Sequence, residues 1–168
     1  GRRQDLGLPD AQRAMRLVRF HAAHYGIDPA RIGFMGFSAG GHVAASIATR
    51  FAANVYAPVD AADRGDARPS FSLPMYPVIT MGEGCHAGSR DHLLGDDPSA
   101  EMIAAYSCEK TVSADTPPTF LCLAADDTTV PPLPNAMAYY LALQQARVPS
   151  EIHLFEVGGH GFGLARAV

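Results

Sequence analysis

The stretch "GFMGFSAGGHVAAS", residues 33–46, constrains this chain more than any other. It sets Gly36, Ser38, Gly40 and Gly41 around one hydroxyl, between an apolar run and an alanine-rich segment of helical character. Glycine carries an entropic cost inside regular structure. Its concentration here marks a backbone forced where only glycine goes easily. A strand must turn abruptly into a helix, and the residues two before and two after the serine must be small for the two to approach.

The order strand, Gly36-Phe37-Ser38-Ala39-Gly40, helix is the G-x-S-x-G pattern of a nucleophile elbow. Such a turn thrusts the Ser38 hydroxyl out at the carboxyl edge of a sheet, on a strained backbone. Ser38 also stands at a helix N-terminus, where free N–H groups and the helix dipole favour developing negative charge. The Ala39 N–H is the expected first oxyanion donor. Gly41 lets a further group approach closely.

A serine hydroxyl is a poor nucleophile without a base, and the base needs an orienting carboxylate. Behind this kind of elbow the partners follow in the order Ser, acid, His. Asp126-Asp127 comes just after the strand-like run 119–124, and His160 just after the run 152–157. Both therefore lie at carboxyl ends of strands, the edge where open parallel sheets place their chemistry. Of the two carboxylates Asp127 is favoured, because Val130 and Pro131 anchor the loop behind it. Asp126 is left to solvent or to holding the turn. His21 and His24 fall on the first helix, His42 packs or caps, and His153 lies inside a strand. His86 and His92 sit in a long loop within reach of a substrate but read as surface residues.

The rest of the chain alternates. Asp10 is expected to cap a helix starting at Ala11, with Ala14, Met15, Val18, Ala22 and Tyr25 on one face and Gly26 as its stop. A strand over 31–35 leads into a helix over 38–51, and 56–70 has no period and reads as loop. Residues 71–80 read as a buried strand weakened by Pro74, which removes a ladder hydrogen bond. Residues 81–101 are loop with a short helix at 91–94, and 102–106 form a helical turn. A strand over 119–124, an amphipathic helix over 135–145 and a strand over 152–157 complete the pattern. This alternation predicts one α/β domain, a mainly parallel sheet flanked by helices.

Composition removes several function classes. Net charge is −4 and Lys110 is the only lysine, so no basic stripe exists for nucleic acid. No apolar run approaches the ~20 residues that span a bilayer. Cys85, Cys108 and Cys122 lack metal-ligand or C-x-x-C spacing and read as isolated thiols, and no metal or cofactor is implied. No signal peptide is visible, which favours the cytoplasm over secretion. The chain opens Gly1-Arg2-Arg3 without Met and ends soon after the histidine loop, so both ends read as cuts within a longer sequence or as a processed product.

"GFMGFSAGGHVAAS", "LAADDTTVPPLPNAMAYYLAL" and "EVGGHGFGLA" resemble α/β-hydrolases of the small acetyl-esterase type, the group of acetylxylan and xylanase-associated esterases. The likeness runs from about Pro9 to Ala165. By position it implies Ser38 as nucleophile, Asp127 as acid and His160 as general base. The implied substrate is a short acyl ester, acetyl foremost, of a small molecule or a carbohydrate. Such proteins usually carry a His-Gly-Gly loop that gives the second oxyanion N–H, and nothing before Asp10 supplies one. They usually end in a further helix. Leu123 stands where many have His, and Cys108 where Pro is common. The resemblance thus implies a single partial α/β-hydrolase domain over 1–168, truncated on its N-terminal side. Its exposed sheet edge would invite self-association. Two rival expectations are a prolyl-oligopeptidase-like peptidase and a non-catalytic hydrolase domain serving binding or assembly.

Overall fold

In the computed structural model, which describes residues 7–163, four strands lie side by side in their chain order. β1 (Phe34–Phe37), β2 (Ser72–Met75), β3 (Thr119–Ala124) and β4 (Ser150–Phe155) are all parallel. Parallel neighbours require crossover connections. Helices α1 (Gly7–Phe20) and α2 (Ala22–Tyr25) precede β1, and α3 (Ala39–Arg50) carries the chain from β1 to β2. Helices α4 (Ala87–Leu94) and α5 (Ala100–Tyr106) lie between β2 and β3, and α6 (Ala138–Gln145) between β3 and β4. This is the expected α/β architecture. Because all strands run one way, their carboxyl ends share one edge. Ser38, Tyr76 and Asp126 follow the first three strands within two residues, and His160 follows the fourth by a short loop.

Small side chains let α3 lie close to the sheet. Ala44, Ala45 and Ala48 are fully buried on it. Ala45 belongs to a core cluster with Ile79, Leu121, Tyr139 and Leu143, while Ile47 packs with Leu8, Ala11 and Met15 of α1. Each large aliphatic side chain so buried contributes about 1.5–3 kcal/mol. Gln12 is buried as well and satisfied: its Nε2 donates to Arg50 O at 3.0 Å, at the end of α3, and to Ala53 O at 2.9 Å just beyond it.

Several boundaries differ from expectation. α1 begins at Gly7, so Asp10 lies in its first turn and does not cap it. Its buried face is Leu8, Ala11, Gln12 and Met15; Ala14 is exposed, and so is Tyr25, which lies past the break at His21 in α2. Gly26 does end α2, at φ 66°. β1 starts three residues late because an Asp28-based turn occupies its approach: Arg31 N donates to Asp28 O, and Ala30 N to Asp28 Oδ1. β2 is four residues, not ten. Pro74 sits inside it, and the register with β3 is made at Ser72 and Met75, skipping the proline. Tyr76, at φ 35°, then ends the strand, though residues 76–81 stay buried.

α4 starts four residues earlier than expected because the His86 side chain caps it, accepting from Ser89 N. Within 56–70 a short 3₁₀ turn, Ala61–Arg64, is capped by Asp60. A π turn, Leu133–Met137, leads into α6. β4 lies two residues before its expected place, so Glu156 and Val157 belong to the histidine loop. β1 and β4 are the sheet edges among the described residues, and Met35 and Phe37 are about half exposed on β1. The three cysteines are free thiols. Among the described residues no helix is long and apolar enough to cross a membrane.

Candidate active site

The elbow is built by absent side chains on one side and by backbone clamps on the other. A Cβ at Gly36 would fall inside the van der Waals envelope of the Gly40 carbonyl oxygen. A Cβ at Gly41 would come within 2.7 Å of Pro77 Cβ. Gly40 itself has open space around its missing Cβ. The expectation that the residue two after the serine must be small is therefore corrected: the approach is made to the carbonyl of Gly40, not to its side. Ser38 takes φ 54° and ψ −118°, the strained conformation expected of it. Its N–H donates to Met75 O at 3.0 Å, and its carbonyl accepts from Val78 N at 3.1 Å and His42 N at 3.2 Å. Its hydroxyl caps nothing on α3.

That hydroxyl meets an imidazole. Ser38 Oγ lies 2.7 Å from His160 Nε2, and His160 Nδ1 lies 2.7 Å from Asp127 Oδ2. A carboxylate only accepts, so Nδ1 carries the proton. Nε2 is then left with its lone pair, and the Ser38 hydroxyl donates to it. The Asp127 side chain is 2% exposed and that of His160 20%. The second Asp127 oxygen accepts from Thr129 N and Val130 N, each at 2.9 Å. Val130 is buried, so the carboxylate is fixed by its own anchored loop.

Asp126, exposed, does something else. Its Oδ1 accepts from Gly159 N at 2.7 Å, tying the histidine loop to β3. That N–H holds the Asp126 carboxyl below its usual range. The structure thus brings Ser38, Asp127 and His160 together in one row and gives Asp126 the turn. Ala39 is exposed at the first position of α3, where its N–H has no intrahelical acceptor. Gly41 is buried against Pro77, so the group it admits is the protein's own.

Beside Ala39 opens a mainly apolar cleft of about 430 Å³, with His42, Met81, His86, His92 and Leu93 in its walls. His86 and His92 are therefore cleft residues as well as surface ones. His42 is buried and its Nε2–H donates to Tyr106 O at 2.8 Å, a packing role. His21 and His24 are exposed, and His153 pairs with Glu151 across 2.6 Å. Two site residues gave no signal in the sequence. Tyr76 is buried beside His160, and Asn135 ties the acid loop to residues 79–84.

A parallel sheet with a strand–Ser38–helix elbow, and acid and histidine at the carboxyl ends of later strands, has the α/β-hydrolase fold. Residues 6–137 match the BD-FAE family, and the chain belongs to it. The match takes in Ser38 and Asp127, and His160 lies past it. The chain is 37% identical over 158 residues to endo-1,4-beta-xylanase B of Butyrivibrio fibrisolvens, covering 94% of this chain and 25% of that protein. It is 35% identical over 158 residues to an acetylxylan esterase of Xylanibacter ruminicola, covering 92% of this chain and 30% of that one. Among solved structures, the acetyl ester-xyloside bifunctional hydrolase of Caldicellulosiruptor lactoaceticus superposes with a TM-score of 0.88 at 42% identity, over 94% of this chain and 58% of that one. The chain thus spans under a third of the curated relatives it matches and just over half of that structure.

Proposed function

We propose that this chain carries the catalytic row of a serine esterase that hydrolyses short acyl esters, acetyl foremost, of a carbohydrate or small-molecule alcohol. The observation that carries it is the pair of 2.7 Å contacts running from Ser38 through His160 to the buried Asp127. The acyl and sugar classes are supported by the relatives, which include an acetylxylan esterase and an acetyl ester-xyloside hydrolase.

His160 Nε2 takes the proton as Ser38 Oγ attacks the ester carbonyl carbon. Asp127 fixes the imidazole tautomer and stabilises its charged form. The Ala39 N–H, at the positive end of α3, faces the developing oxyanion; one such donor contributes on the order of 10²–10³ in rate. Collapse breaks the carbonyl-carbon–alkoxy bond, and His160 gives its proton to the leaving alcohol. The acyl group is then on Ser38. His160 next takes a proton from water, which attacks the acyl carbon, and the acid leaves as Ser38 Oγ regains its proton. The cleft beside Ala39 gives the non-reacting part of the ester a place to lie.

The test is turnover of an aryl acetate and of acetylated xylo-oligosaccharide by wild type and by Ser38→Ala. The expected result is hydrolysis by wild type and its loss in the variant. Equal hydrolysis by both would refute the proposal.

A further inference from the structure

We propose that Tyr76 is a positioning residue that fixes His160 against Ser38; this rests on the ester-hydrolysis reading of that pair. Tyr76 stands directly after β2 at φ 35°. Only three non-glycine residues among those described take a positive φ, and Ser38 is another. Pro77 restricts the backbone before it further. Strain of this kind persists only where the surroundings over-determine it, and it gathers at functional sites.

The surroundings here are specific. Tyr76 N donates to Cys122 O at 2.7 Å, which locks the turn to β3. The residue on one side, Met75, accepts from Ser38 N, and Val78 on the other side donates to Ser38 O. Pro77 between them packs on Gly41. The same short segment therefore clamps both ends of the strained serine. A continuing strand would send its side chains to alternate faces of the sheet. The left-handed turn instead lays the Tyr76 ring across the carboxyl edge, where it is 6% exposed. The ring meets the His160 imidazole at 5.3 Å between centroids and 70° between planes, with Phe162 at 4.9 Å behind it and Phe37 at 5.9 Å.

Tyr76 thus joins the two halves of the row: its backbone segment holds Ser38 and its ring holds His160. Proton transfer needs Oγ and Nε2 in register, and a misplacement of about 1 Å costs on the order of 10²-fold. The ring makes these contacts, so the hydroxyl is dispensable.

The experiment compares wild type, Tyr76→Phe, Tyr76→Leu and Tyr76→Met by kcat and KM for an aryl acetate. It adds the downfield NMR resonance of the His160 Nδ1 proton and Tm. Tyr76→Phe should keep kcat within about twofold. Tyr76→Leu should lower kcat roughly 10- to 100-fold with KM nearly unchanged, and should shift or broaden the Nδ1 resonance. Tyr76→Met gives the same result and stands in if the leucine variant does not fold. Wild-type kcat and an unmoved resonance in the leucine or methionine variant would overturn the proposal. So would a Tyr76→Phe loss as large as that of Tyr76→Leu, or a kcat loss that follows only a fall in folded protein. If wild type itself does not turn over, the esterase reading fails on its own, and the Nδ1 resonance still decides whether Tyr76 positions His160.

Discussion

Asp126 and Asp127 are adjacent in the chain and hold the same histidine loop by different means. Asp126 accepts from the backbone N–H of Gly159, and Asp127 from the side chain of His160. One carboxylate places the loop and its neighbour orients the imidazole. Substitution separates the two roles. Asp127→Asn keeps an oxygen for the Thr129 and Val130 amides but offers His160 a donor, which favours the wrong tautomer. It should lower kcat on the order of 10⁴-fold. Asp126→Asn keeps its acceptor and should cost less than about tenfold. Steady-state kinetics on an aryl acetate check both.

The same pair sets an acid dependence. The Asp126 carboxyl titrates below its usual range in the folded chain because Gly159 donates to it. Its contribution to stability is therefore full above the unfolded value of about pH 4, and is lost as pH falls through the folded one. Asp126→Asn should lower Tm relative to wild type at pH 6, and the gap should narrow as pH falls below about 4. A gap that persists at low pH would mean the carboxylate charge is not what holds the loop.

The glycines of the elbow are not equivalent. Gly36→Ala pushes a methyl into the Gly40 carbonyl, and Gly41→Ala into Pro77. Each should cost about 3 kcal/mol and abolish reaction at Ser38. Gly40→Ala meets nothing within 4 Å and should be neutral or stabilise by up to about 1 kcal/mol. Urea midpoints of the three variants provide the comparison.

The row Ser38, Asp127, His160 was legible in the sequence because each member stands in order beside a strand signal, and because the elbow needs glycine. The anchoring of Asp127 by the Val130 loop was legible for the same reason: a buried valine follows it at the right distance. What was hidden depends on tertiary contacts. Nothing local announces that Tyr76 turns left-handed before a proline, or that His86 caps α4 in place of a usual capping residue. The start of α1 is ambiguous in the sequence because Asp10 makes a good cap and is equally at home in a first turn. β2 is shorter than its sequence suggests because burial continues through Met81 after the strand ends.

Asn135 was also silent, inside the run "PPLPNAM". It is fully buried and uses both ends of its amide. Oδ1 accepts from Ile79 N at 2.9 Å and Thr80 N at 3.3 Å, and Nδ2 donates to Gly84 O at 3.2 Å and Pro131 O at 3.0 Å. Asn135→Leu leaves buried backbone groups without partners and should cost about 3 kcal/mol. Because Pro131 belongs to the loop that carries Asp127, kcat should fall in protein that remains folded. Thermal melts and kinetics on the same sample separate the two effects.

Activation of the Ser38 hydroxyl by His160 is tested most directly by intact-mass analysis after treatment with a fluorophosphonate, on wild type and Ser38→Ala. One adduct is expected on wild type and none on the variant. A folded wild-type chain that takes no adduct, or a variant that still takes one, would contradict that activation.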